Sequence, residues 1–116
     1  MSAQKTVGEL LVQYREAAER AGDLSNPKQQ NKWADRLHIC YKLLREAPPG
    51  REGIIALMAD ANPSVREWAA AHSLQWMPER ARSVLEELRD MKVFPYSLNA
   101  EMTLKEFDKG RLTFDY

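Results

Sequence analysis

Cysteine occurs once in the 116 residues, at Cys40, and histidine twice. A single thiol excludes an internal disulfide and any multi-cysteine metal centre. Two histidines, with no carboxylate–histidine cluster at ligand spacing, predict no metal site. Charge of one sign is also missing. Lys+Arg and Asp+Glu number 17 each, so the net charge is zero, which excludes a polyanion binder that works by bulk charge. Residues 1–58 hold a slight excess of cations and residues 59–116 a slight excess of carboxylates. No apolar run reaches the ~18 residues of a membrane span. Met1-Ser2-Ala3-Gln4-Lys5 leads straight into an amphipathic pattern, without a signal-peptide core. The five glycines are scattered at 8, 22, 50, 53 and 110, so no glycine-rich loop is present to cradle phosphate. Together these features predict a soluble cytoplasmic protein with no cofactor.

What is present is enough for a core. Hydrophobic residues make up 44% of the chain, including three Trp, four Tyr and three Phe, and the length predicts one domain over 1–116. Val7, Leu10, Leu11, Tyr14, Ala17, Ala18 and Ala21 recur every three or four residues. They predict a first helix over 6–21, with Thr6 and Glu9 as a capping box and Gly22 as a left-handed terminator. Asn26-Pro27 opens a second helix with Trp33, Leu37, Cys40, Tyr41 and Leu44 on one stripe. Pro48-Pro49-Gly50 is read as its stop, near residue 47. A short third helix follows over 51–60. Asn62-Pro63 repeats the cap-and-proline start and opens a fourth helix over 63–76, which is apolar nearly all round and so expected to be buried. Pro78 opens a fifth over 78–90, with Ala81, Val84, Leu85, Leu88 and Met91 inward. Ser97 is the expected cap of a sixth over 97–108, with Met102, Leu104 and Phe107 inward and Gly110 closing it. The tail, 111–116, alternates apolar and polar residues and could lie extended. The fold class predicted is all-α, about six helices packed as antiparallel hairpins.

Asp60-Ala61-Asn62-Pro63-Ser64-Val65-Arg66, followed by Trp68-Ala69-Ala70-Ala71-His72, resembles the turn of a HEAT-type repeat. The Asx-Pro turn reverses the chain, Val65 anchors the inner helix, and the alanines allow close approach. Arg66 is placed to reach a neighbouring turn's carbonyl or carboxylate. Leu57 and Leu88, 31 residues apart in similar apolar surroundings, suit a second helix pair. Residues 31–116 further resemble a family of small, mostly bacterial, uncharacterised proteins with an armadillo/HEAT-like α–α superhelix. The stretches that carry the likeness are Asn31-Lys32, Asn62 to Arg66, Pro78-Glu79-Arg80-Ala81 with Val84 to Leu88, and Met102 to Phe107 with Lys109-Gly110-Arg111-Leu112. Phe107 stands where the family often has Trp. The resemblance implies a compact helical superhelix, brings no catalytic residues, and implies an immunity role through relatives near secreted-toxin genes.

Candidate chemistry is sparse. Asp35 and His38 share a helix face, and a carboxylate can orient an imidazole, so a hydrolase built on that pair is the third-ranked reading. Cys40 falls about 200° from His38 on an ideal helix and lies on the apolar stripe, which fits a small buried hydrophobe. His72 sits among core positions. Glu79, Glu86, Glu87 and Asp90 interleave with Arg80, Arg82 and Arg89 as a solvated face of local ion pairs. No catalytic residue is therefore assigned. Two sets remain as partner contacts. Trp68 with Arg66 and Glu67 has the residue types of an interface hot spot. Lys28, Lys32 and Arg36, four residues apart, form a basic stripe beside Trp33 that could hold phosphates or stack bases. The leading expectation is a noncatalytic protein-interaction module, with an immunity protein that neutralises a nearby-encoded toxin as its biological form. The alternative is a HEAT-like nucleic-acid binder using the basic stripe.

Overall fold

The computed structural model describes residues 5–116, and among them every regular element is helical. The elements are α1 (Val7–Ala21), α2 (Pro27–Leu44), α3 (Pro48–Ala56) with a 3-10 turn at Leu57–Ala59, α4 (Pro63–Ser73), α5 (Pro78–Asp90) and α6 (Tyr96–Asp108). They group into two compact units, Met1–Ala56 and Leu57–Tyr116.

In the first unit, the Thr6–Glu9 capping box opens α1 as expected. Asn26 accepts the Gln29 N–H at the start of α2, with Pro27 in the first turn. The two helices run antiparallel. The Gln30 amide donates to the Ala21 carbonyl near the connection, and Arg20 at the end of α1 lies over Trp33 near the start of α2. Between them Leu10, Tyr14, Ala17 and Ala18 of α1 meet Leu37, Cys40, Tyr41 and Leu44 of α2, all buried. Each leucine so removed from water contributes on the order of 2 kcal/mol. Burial pushes the Tyr14 hydroxyl well above the usual tyrosine range, and neighbouring Tyr41 and Cys40 push it further. Gly22 ends α1 in right-handed conformation (φ −88°), not the expected left-handed one. Its N–H donates to the Glu19 carbonyl, and the Asp23 N–H donates to the Arg20 carbonyl.

Pro48-Pro49-Gly50 does not merely stop α2. It forms the first turn of α3, where prolines lack only N–H groups that would have no helical partner. Gly50 is buried there because a Cβ would lie 2.0 Å from the Leu44 carbonyl oxygen. Its role is close backbone approach, which spacing alone does not distinguish from termination.

In the second unit, the Asn62 side chain accepts the N–H groups of Ser64 and Val65 at 2.9 and 3.2 Å. Eight of the eleven α4 residues are buried, namely Ser64, Val65, Glu67 and Ala69–Ser73, as a helix apolar on most sides requires. The helix ends at Ser73, and residues 74–76 form a turn. α5 and α6 are antiparallel: the Ser97 hydroxyl donates to the Leu88 carbonyl, and Arg82 pairs with Asp108 at the far end. Ser97 does not cap α6. The helix starts one residue earlier, at Tyr96, and the hydroxyl accepts from the Val93 N–H. Ala81, Leu85, Leu88, Ala100 and Leu104 fill the α5–α6 seam. Met91 and Met102, expected inside, are 45% and 56% exposed. Ala100 and Leu104 define the inward face of α6, and Met102 falls off it. Gly110, the expected end of α6, takes a left-handed conformation (φ 70°). Residues 111–116 have no regular structure.

Candidate functional site

Successive positions on a helix point about 100° apart, and α4 separates its three candidate contacts accordingly. Glu67 turns inward and is only 9% exposed. Desolvation raises its carboxyl from the ordinary 4.5 to about 8, opposed by a hydrogen bond from Asn99 of α6. The residue read as a surface contact is thus a protonated acid inside the unit at neutral pH. Trp68 is half-buried, its ring 5.9 Å from that of His72. Arg66 stays partly exposed and reaches the Asp60 carbonyl of its own helix's entry turn at 3.5 Å, not a neighbouring turn, and the Met91 sulfur at 3.9 Å.

Through Met91, Arg66 leads to a surface that spacing did not reveal. Lys92 takes a left-handed conformation (φ 55°) after α5. The connector then carries Val93 and Phe94 outward, 45% and 70% exposed. Leu98 and Met102, one turn apart on α6, are 47% and 56% exposed. A shallow cavity of about 460 Å³ lies beside Phe94 and Leu98. Its rim holds both charge signs, from Arg89, Asp90, Lys92 and Glu101. Arg89 pairs with Asp90 at 2.9 Å, rather than with Glu86, three residues before it. The available signal was an aromatic immediately before Pro95, outside every helical stripe.

The second predicted set lies in the first unit. Lys28, Lys32 and Arg36 are exposed along α2, with no carboxylate partner among the described residues. Trp33 is not free to stack on a base. The guanidinium carbons of Arg20 and Arg36 lie 5.0 and 4.7 Å from its ring centroid, within cation–π range. Beneath this cluster, between α1 and α2, is a cavity of about 450 Å³. Ala17, Trp33, Ile39 and Cys40 supply its apolar surface, and Lys5, Gln13, Glu16 and Arg36 its polar edge. The Lys5 ammonium donates to the Gln13 side-chain oxygen at 2.9 Å, and Glu16 pairs with Arg20 at 3.1 Å. Burial raises the Cys40 thiol above its ordinary value, against the pull of Lys5. It is therefore neutral at pH 7 and a poor nucleophile.

His38 stacks on Tyr41, ring centroids 6.0 Å apart. His72 is 1% exposed and meets the edge of Phe114 at 4.6 Å. Among the described residues no group of three or more His, Cys, Asp or Glu could hold a metal ion. No described helix is long and apolar enough to cross a membrane.

The family described as "Domain of unknown function (DUF2019)" matches residues 9–108. The match begins in α1, ahead of the 31–116 span expected, and it stops before Lys109-Gly110-Arg111-Leu112. The chain is also similar to the crystal structure of the protein RPA1889 from Rhodopseudomonas palustris CGA009. That likeness has a TM-score of 0.84 at 24% identity, over 95% of this chain and 94% of that one. At this identity the likeness speaks for the fold. No curated protein matches the chain.

Proposed function

We propose, for a chain that belongs to the family of the domain of unknown function DUF2019, a noncatalytic role as a protein-interaction module. The observation that carries this reading is the run of exposed apolar side chains at the α5–α6 corner, Met91, Val93, Phe94, Leu98 and Met102. Of these, Phe94 and Leu98 line one shallow cavity rimmed by both charge signs, the kind of apolar surface that a docking partner covers. Phe94, displayed on a connector between two packed helices, is the anchor, and the methionines adapt to the partner's surface. Anchoring on a pre-shaped surface costs little ordering entropy. The biological form proposed is a bacterial cytoplasmic immunity protein, occluding a toxin encoded by a neighbouring gene. This form rests on the family resemblance, not on the patch.

The test is co-expression with the product of the adjacent gene, followed by calorimetric titration of the purified pair. A one-to-one complex is expected, weakened about thirtyfold by Phe94→Ser, the effect of a hot-spot side chain. Absence of any complex, or full affinity in the variant, overturns the reading. The exposed Lys28, Lys32 and Arg36 support a second reading, nucleic-acid binding. A salt-sensitive complex with short duplex DNA, lost when all three become alanine, would favour it instead. The arginines already lying over Trp33 weigh against base stacking there.

A further inference from the structure

We propose that the cavity between α1 and α2 is a binding site for a small organic carboxylate with an apolar, aromatic-sized body. Unmatched positive charge lies here beside an apolar floor. Two cationic side chains, Lys5 and Arg36, line this cavity, and a third, Arg20, lies over its Trp33; only Arg20 is neutralised. Arg20 has Glu16, which uses the carboxylate on the cavity's edge. Lys5 rests on the neutral amide oxygen of Gln13, and Arg36 lies on the face of Trp33. Neither has a carboxylate partner among the described residues. Below them the walls are Ala17, Ile39 and Cys40, the last a neutral thiol.

A ligand that completes this arrangement carries one negative group for Lys5 and Arg36 and an apolar portion for the floor. Guanidinium and ammonium groups both form charge-assisted hydrogen bonds with carboxylates. The volume of about 450 Å³ is at the small end of the range for ligand cavities. It suits a compact single-ring acid better than a dinucleotide or a folded partner. Inorganic phosphate would satisfy the cations but leave the apolar floor unused, and a neutral hydrocarbon would do the reverse. The site lies in a different unit from the α5–α6 corner and does not depend on the function proposed for that corner.

The experiment uses the full chain and 4-phenylbutanoate as probe, with 4-phenylbutanamide as its uncharged counterpart. Binding is followed by two-dimensional ¹H–¹⁵N NMR of the three indole N–H signals and the backbone amides. Saturable shifts of the Trp33 indole and the Cys40 amide are expected, with a midpoint of about 1 mM or lower. The amide should bind about tenfold more weakly. Lys5→Gln and Arg36→Gln, both at exposed positions, should each weaken the carboxylate about fivefold while the remaining spectrum stays unchanged. The proposal is overturned if no shift saturates by about 20 mM, a limit far weaker than useful small-ligand affinity. It is also overturned if acid and amide bind alike, or if the shifts centre on Trp68 and Trp76.

Discussion

α2 and α4 start with the same device and come to opposite ends. Each is opened by asparagine followed by proline, with the asparagine side chain accepting backbone N–H groups. α2 then runs 18 residues with four buried, and α4 runs 11 with eight buried. The cap sets where a helix begins; the residues after it set how deep the helix lies. Lys28-Gln29-Gln30-Asn31-Lys32 keeps one side of α2 in water, and Ala69-Ala70-Ala71 lets neighbours close on α4. The buried helix also carries the polar anomalies of its unit. Glu67 is buried and protonated, and Ser73 Oγ has no hydrogen-bond partner among the described residues. Burial, not composition, makes these side chains consequential.

The contrast is most strongly tested at Glu67. Its folded carboxyl titrates at about 8, against an ordinary 4.5. Below pH 4.5 both folded and unfolded chains hold this proton, and the shift has no effect. As pH rises from 4.5 only the unfolded chain releases it, so stability falls until about pH 8 and then levels off. Glu67→Gln, which keeps a hydrogen-bonding group for Asn99, should remove that slope. The variant is expected to be more stable by about 3 kcal/mol at pH 7 and unchanged near pH 4, as read from urea melts across that range.

A smaller effect is expected from volume. Ala70→Leu adds bulk where exposure is 0% and should cost about 2 kcal/mol by overpacking. Ile39→Ala, at a position 59% exposed on α2, should change stability by about 0.5 kcal/mol or less. Thermal melts of the pair give the ratio directly. The smallest difference lies in the caps themselves. Asn62 serves two N–H groups at 2.9 and 3.2 Å, and Asn26 serves one at 3.4 Å from an exposed position. Replacement by alanine should cost about 1.5 kcal/mol at Asn62 and about 0.5 at Asn26. Equal losses would mean that depth does not modulate the cap.

Helix starts at Thr6, Asn26 and Asn62 were legible because capping is chemistry among residues three positions apart. The all-α class followed from apolar spacing, and α1, α5 and most of α2 could be bounded closely. Pro48-Pro49 was ambiguous because proline both interrupts a helix and suits a first turn; only Gly50's contact with the Leu44 carbonyl decides which. Ser97 has the composition of a cap, but its hydroxyl is drawn to Leu88 and Val93 by the way α5 and α6 meet. Candidate surfaces were harder still. Lys28, Lys32 and Arg36 were correctly read as exposed, because no apolar partner falls on their face. Glu67 was read outward because its burial is set by α6, about 30 residues further along the chain. Phe94 escaped because residues in connectors have no periodicity to betray which way they face.

His72 owes part of its cover to a ring that lies beyond the matched family segment. Phe114 sets its edge against the imidazole, six residues past the end of that segment at Asp108. A chain trimmed to the family boundary would therefore open a window onto the imidazole in its second unit. The working border of this domain, for anyone preparing a minimal version, is drawn by an aromatic in an irregular tail.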